Sequence, residues 1–159
     1  MFSEVVEMNF AMETVSPNKR PDLELSSESV LNLQGKTVLL VEDNIDSQEF
    51  MTRMLSSFGL VVRVASNGLE AITHVSMYEP DIVLMDLRMP VVDGFDATRR
   101  LRLDGFEGPI IAITAEPEST HRHECLDNGF NDFVVKPVVK RDLVTSIATH
   151  LQTAKKTIH

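Results

Sequence analysis

The chain has 159 residues, 43% of them hydrophobic and 25% charged, enough for one domain with a real core and some chain to spare. A net charge of −9 disfavours contact with a nucleic-acid backbone and favours a bound cation, so no nucleic-acid partner is expected. One cysteine, Cys125, excludes an intramolecular disulfide framework, and no apolar run nears the roughly 18–20 residues of a membrane span. The acidic start, residues 1–7, lacks the basic and apolar regions of a signal peptide. A soluble cytoplasmic protein without a membrane partner is the expectation.

Residues 1–34 carry Pro17, Pro21 and Ser26-Ser27-Glu28-Ser29 without sustained periodicity, the composition of a flexible tail or linker. Val5, Met8 and Met12 fall at helical spacing, so a short helix over residues 4–12 is the alternative there. Gly35-Lys36 opens the folded part, and Val38-Leu39-Leu40-Val41 reads as a strand buried on both faces, ending in Glu42-Asp43-Asn44. Met51, Met54, Leu55 and Phe58 make one apolar helix face that Gly59 ends. Residues 60–64 form the second strand. Asn67-Gly68 turns into a helix carrying Leu69, Ile72, Val75 and Met77, with Pro80 at its end. The third strand, residues 82–85, runs straight into Asp86. Asp93-Gly94 then leads into a helix through Phe95, Ala97, Thr98, Leu101 and Leu103, broken at Gly108-Pro109. Residues 110–113 repeat the buried-strand pattern and end in Thr114-Ala115. Pro117 suits the first turn of a helix that runs to Asn128-Gly129. Residues 132–135 are the last strand, ending in Lys136-Pro137, and the closing helix has Leu143, Ile147 and Leu151 on one face.

Strand and helix thus alternate five times, which implies a parallel sheet with right-handed crossovers and helices on both faces. Such a sheet brings Glu42, Asp43, Asp86, Thr114 and Lys136 to one edge, where ligands of open α/β sheets bind. Crowded carboxylates repel unless a hard cation neutralises them, and oxygen-rich acidic sites suit Mg²⁺. A hydroxyl and an ammonium facing the same point match the oxygens of a phosphoryl group, with Asp86 as the nucleophile.

These residues carry a resemblance. Glu42-Asp43-Asn44, Asp86-Leu-Arg-Met-Pro90-Val-Val-Asp-Gly94, Thr114-Ala115 and Lys136-Pro137, in this order and separation, resemble the receiver domain of two-component response regulators. The wording around them is most similar to receivers of hybrid histidine kinases and single-domain regulators. The resemblance covers roughly residues 36–151. It implies a three-layer α/β sandwich with five helices and strand order 2-1-3-4-5, residues 1–34 being a tail, 35–154 the receiver and 155–159 a C-terminal tail.

By the same resemblance, Asp86 accepts phosphate from a histidine kinase or histidine phosphotransfer protein. Asp43, Asp86 and the Arg88 backbone carbonyl hold Mg²⁺, with Glu42 reaching it through water. Lys136 pairs with phosphoryl oxygens, and Thr114 and Phe133 form the switch. Lys136-Pro137 is expected to be cis. Phe133 lacks the hydroxyl of chemotaxis-type receivers, so any switch there is steric. Arg88 and Glu116 stand where phosphoryl lifetime is tuned, and a salt bridge between them would shield the phosphoryl group from water. The output is contact with a downstream protein, a phosphorylation-dependent homodimer is left open, and the domain is a switch more than an enzyme.

Bland alternatives exist for each residue alone: Asp43 as a helix cap, Thr114 as a strand end, Lys136 as a solvated charge. Jointly they leave one alternative, a degenerate receiver that binds without being phosphorylated. A P-loop enzyme would need Gly-x-x-x-x-Gly-Lys-Ser/Thr after the first strand, where Glu42-Asp43-Asn44 stands. An acidic pair there would also repel the phosphate of FMN, and a haloacid-dehalogenase-like phosphatase would need Asp-x-Asp there. His121, His123 and Cys125 read as a plain helix surface with Cys125 packed as a small hydrophobe, and Arg99, Arg100 and Arg102 as a solvated basic face.

Overall fold

Five short strands build the sheet: β1 Thr37–Val41, β2 Val61–Ala65, β3 Ile82–Asp86, β4 Ile110–Thr114 and β5 Asp132–Val135. All pair in parallel, in the order β2-β1-β3-β4-β5. The structure is a computed structural model and describes residues 26–116 and 118–156. The alternative helix over residues 4–12, Pro117 and the side chain of His121 lie outside the described residues.

Side chains alternate across a strand, so each strand feeds two cores. Val38, Leu40, Ile82, Leu84, Ile111, Ile113 and Val134 face one side. There α2 (Ile45–Ser56) contributes Met51, Met54 and Leu55, and α6 (Lys140–Lys156) contributes Leu143, Ile147 and Leu151. Leu39, Val41, Val83, Met85, Ile110 and Ala112 face the other side. Over them lie α3 (Gly68–Tyr78), α4 (Gly94–Leu103) and α5 (Glu118–Asp127), with Ala71, Val75, Ala97, Leu101 and Cys125. Burial pushes the Cys125 thiol up to about 11, with Glu124 adding to the effect, so it packs as an inert apolar group.

The described residues hold six helices where the sequence predicts five. The extra one, α1 (Ser27–Leu31), starts on a Ser26 side chain that accepts from the Ser29 amide at 3.1 Å. Just after it, Leu33 is 1% exposed and sits in the α2/α6 core. Gln34 donates to the Phe58 carbonyl and Gly35 to that of Gly59, tying this segment to the α2–β2 turn. The segment read as tail therefore enters the core at its last turn.

Three apolar residues predicted on inner helix faces point outward: Leu69, Met77 and Leu103. The α3 and α4 contact is instead made by small residues, and a Cβ at Gly68 would come within 3.0 Å of the Ala97 Cβ. Close approach leaves no room for the larger side chains. Arg99 and Arg100 are exposed and pair with Asp96 and Asp104, but Arg102 turns inward and is not part of a solvated face.

Candidate functional site

Parallel register decides which residues meet. Val41 lies opposite Ala65 and Met85, Asp86 opposite Ile113, and Thr114 opposite Val135. The residues at and just beyond these ends, Glu42, Asp43, Asp86, Thr114 and Lys136, thus share one edge of the sheet. Helices α2, α3 and α4 leave that same edge, each capped by a side-chain oxygen: Asn44 for Ser47, Asn67 for Glu70 and Asp93 for Asp96, all at 2.9 Å. The caps hold the loops that frame the acidic groups.

Glu42 and Asp86 are buried, and Asp43 is exposed. One carboxylate oxygen from each of the three lies within 4.8 Å of the others. Lys136 Nζ reaches Asp86 Oδ2 at 3.2 Å and Glu42 Oε2 at 3.3 Å. The Arg88 amide donates to Asp86 Oδ1 and the Asn44 amide to Glu42 Oε1, both at 3.1 Å. Burial first, then the Asp86 charge, holds the Glu42 carboxyl above its usual range despite bonds from Asn44 and Lys136. For Lys136 burial works downward, but Asp86 and Glu42 outweigh it and the ammonium is held above its ordinary value. Two buried carboxylates and one lysine leave negative charge uncompensated, and Asp43 adds to it. This all-oxygen donor set fits a hard divalent cation.

The buried Thr114 hydroxyl accepts from the Glu116 amide at 3.1 Å, and its carbonyl accepts from the Lys136 amide at 2.6 Å. Phe133 is not in the acidic group; it is half-buried against the α3/α4/α5 core, opposite Ala112. The side chains of Arg88 and Glu116 meet in an ion pair between the β3–α4 and β4–α5 loops. The Lys136-Pro137 bond is cis, as expected.

Three features at this edge have no clear signal in the sequence. Gln48 donates to the Glu42 carbonyl at 2.6 Å, a contact no helical spacing announces. Gly94 lets α4 start against β3: a Cβ there would lie 2.3 Å from the Asp86 carbonyl oxygen and 2.8 Å from the Leu87 Cα. The Asp93-Gly94 pair marks the start of a helix in the sequence, but not how closely that start lies against β3. Val91, 88% exposed, has φ of 73°, a conformation that disfavours a β-branched residue.

The family model of the response regulator receiver domain matches residues 38–148. Among solved structures, the receiver domain of the Pseudomonas aeruginosa PAO1 sensor histidine kinase PA1611, which has magnesium coordinated in its active site cleft, is 37% identical. It superposes with a TM-score of 0.69 over 74% of this chain and 98% of that one. A chain in the Saccharomyces cerevisiae co-crystal of the histidine phosphotransfer protein Ypd1 with the receiver domain of Ssk1 is 26% identical. Its TM-score is 0.70, over 74% of this chain and 90% of that one. The Saccharomyces cerevisiae transcription factor SKN7 is 38% identical over 119 residues, 75% of this chain, though the chain spans only 19% of that protein's length. The strand order, the acidic edge and a match running from β1 into α6 lead to one conclusion: the chain belongs to the response regulator receiver domains of two-component signalling.

Proposed function

We propose that this receiver is a phosphorylation switch in which Asp86 takes a phosphoryl group from a phosphohistidine. The observation that carries the reading is the buried Asp86 carboxylate at the end of β3, within reach of Lys136 and beside Glu42 and Asp43. In the transfer an Asp86 oxygen forms the new O–P bond, the N–P bond of the donor breaks, and the imidazole keeps the electron pair. Lys136 offsets charge on the phosphoryl oxygens, which is most of what such a transfer asks of a protein. Asp43, Asp86 and the Arg88 carbonyl would hold Mg²⁺, and Glu42 would reach it through water. The ion's part is charge neutralisation on the phosphoryl oxygens.

After transfer the Thr114 hydroxyl, now accepting from Glu116, turns to donate to the phosphoryl group, and Phe133 follows it inward by steric coupling. The Arg88–Glu116 pair spans the two loops that flank this point and shields the phosphoryl group from water. Exposed Ile45, Val91 and Val139 follow β1, β3 and β5 respectively. They suit an apolar face on the donor, a histidine kinase or phosphotransfer protein, and output passes to a further protein by contact.

The test is intact mass after incubation with Mg²⁺ and acetyl phosphate, for the wild type beside Asp86→Asn. One added phosphoryl mass on the wild type alone is the expected result. Silence in both, with no response to beryllofluoride, would leave a degenerate receiver that binds without phosphorylation, and equal gain in both would put the acceptor elsewhere.

A further inference from the structure

The three carboxylates of the acidic edge are held in different ways. Asp86 closes β3 and is buried, with the Arg88 amide on one oxygen and Lys136 on the other. Glu42 is held at every polar atom. Its amide donates to the Ala65 carbonyl at 3.0 Å, Oε1 accepts from the Asn44 amide and Oε2 from Lys136, and its carbonyl accepts from Gln48 at 2.6 Å. Asp43 stands beyond the strand, exposed, in the loop between β1 and α2. Its Cα is placed by the peptide that joins it to Glu42.

Gln48 holds that peptide from outside the loop. It lies at the end of the first turn of α2, where its own backbone amide donates to the Asn44 carbonyl at 2.9 Å. A carbonyl can only accept, so the side-chain nitrogen of Gln48 faces Glu42, and the same nitrogen donates to Ser66 Oγ at 3.3 Å. Ser66 is anchored in turn, its amide donating to Glu70 Oε2 at 2.7 Å. One amide nitrogen thus ties the acidic loop to α2 and to the loop after β2. The peptide is planar, so fixing the Glu42 carbonyl fixes the opposite direction of the Asp43 N–H and the point from which the Asp43 side chain leaves. A carboxylate that leaves from a set point has less freedom to lose on closing round a cation.

From this arrangement we infer that Gln48 is a positioning residue for the cation: it raises the affinity of the acidic edge for Mg²⁺ by holding the Glu42–Asp43 peptide, and with it Asp43, in place before the ion arrives. The inference rests on the reading of Glu42, Asp43 and Asp86 as a Mg²⁺ site. Gln48 acts through Asp43, so its removal matters only while that carboxylate is there to be held.

Mg²⁺ titrations of the full chain, followed by amide shifts in heteronuclear NMR, test this in the wild type, Gln48→Met, Asp43→Asn and the double variant. Gln48→Met keeps the length of the side chain and removes the donor. It is expected to weaken Mg²⁺ binding about tenfold, the low end of the range for partners that orient metal ligands. Asp43→Asn, which leaves an amide oxygen as a weaker ligand, lowers affinity as well. On that background Gln48→Met adds less than about a twofold loss, because the carboxylate it held has gone. A merely structural glutamine would lower the unfolding midpoint in EDTA and leave Mg²⁺ affinity as it was, and that result overturns the inference while the metal site stands. So does a double variant in which the two losses multiply. A wild type whose amides do not respond to Mg²⁺ sinks the metal reading itself and takes the inference with it. Should Gln48→Met not fold, the same comparison is decided on Gln48→Asn, which keeps the amide and draws it back by one methylene.

Discussion

Arg88 is 77% exposed along its side chain, yet its amide touches Asp86 and its guanidinium reaches Glu116. Exposed ion pairs contribute little to stability, so the consequence proposed for this one lies in access to the site and not in folding. Arg88→Ala and Glu116→Gln are each expected to shorten the phosphoryl lifetime about two- to fivefold, the scale of a surface pair worth under ~1 kcal/mol. The double variant should lose no more than either single one, because one contact is being removed. Phosphoryl loss followed by intact mass checks it, and unchanged lifetimes in both single variants would remove the pair from the mechanism. Single residues were legible in the sequence where they closed a strand: Glu42, Asp43, Asp86, Thr114 and Lys136 each stand at or just beyond the end of an apolar run. Arg102 was not legible, since a cluster with Arg99 and Arg100 reads as surface. The carbonyls that draw it in belong to Phe106, Gly108 and Gly129, the last of them 27 residues along the chain.

Elements announced by a full apolar period were predicted in the right place, and α1 was not. Five residues with no buried side chain among them give no periodicity, and Leu33 lies between Asn32 and Gln34 with no apolar period leading to it. Its burial is a tertiary fact, decided by the core it joins with residues of α2 and α6. The folded unit accordingly is proposed to begin near Ser26. Leu33→Ala should cost about 2–4 kcal/mol in chemical unfolding, the range for emptying a leucine site in a well-packed core. A loss below about 0.5 kcal/mol, typical of surface changes, would return residues 26–34 to the linker. The outward turn of Leu69, Met77 and Leu103 has the converse lesson. A helix can carry leucine at the right spacing and still bury alanine, when the neighbouring helix approaches closely enough.

At the scale of the molecule, the acidic edge trades stability for readiness to bind. Glu42 is held above its ordinary 4.5, with burial the chief cause. A raised carboxyl contributes stability that is present below its unfolded value and lost as pH rises through its folded one. Without metal, Glu42→Gln should therefore match the wild type at low pH and exceed it from about pH 4.5 upward. Mg²⁺ should reverse the order at neutral pH. An ion at 100 times its dissociation constant adds about 2.7 kcal/mol to the native state, and the variant should gain less. Thermal melts with Mg²⁺ and with EDTA across pH settle both halves; a wild type that melts alike with and without Mg²⁺ would refute the metal assignment. The parallel sheet was legible because strand and helix alternate, and its strand order came with the receiver resemblance. The hydrogen bonds of Arg102 at the far end of the sheet were not, because they depend on loops whose course no period records.

Ser26 and Gln152 line one cleft of about 520 Å³ between α1 and α6, with Leu33, Ala148 and Leu151 among its other walls. The described chain thus begins and ends side by side, at the pole away from the carboxylates. Neighbouring sequence attached at either end would join the molecule on that side. A fold with this geometry can be spliced into a much longer polypeptide, or removed from one, with its reactive mouth left open to whichever donor approaches. Length in the surrounding chain is then free to vary without covering the acidic edge.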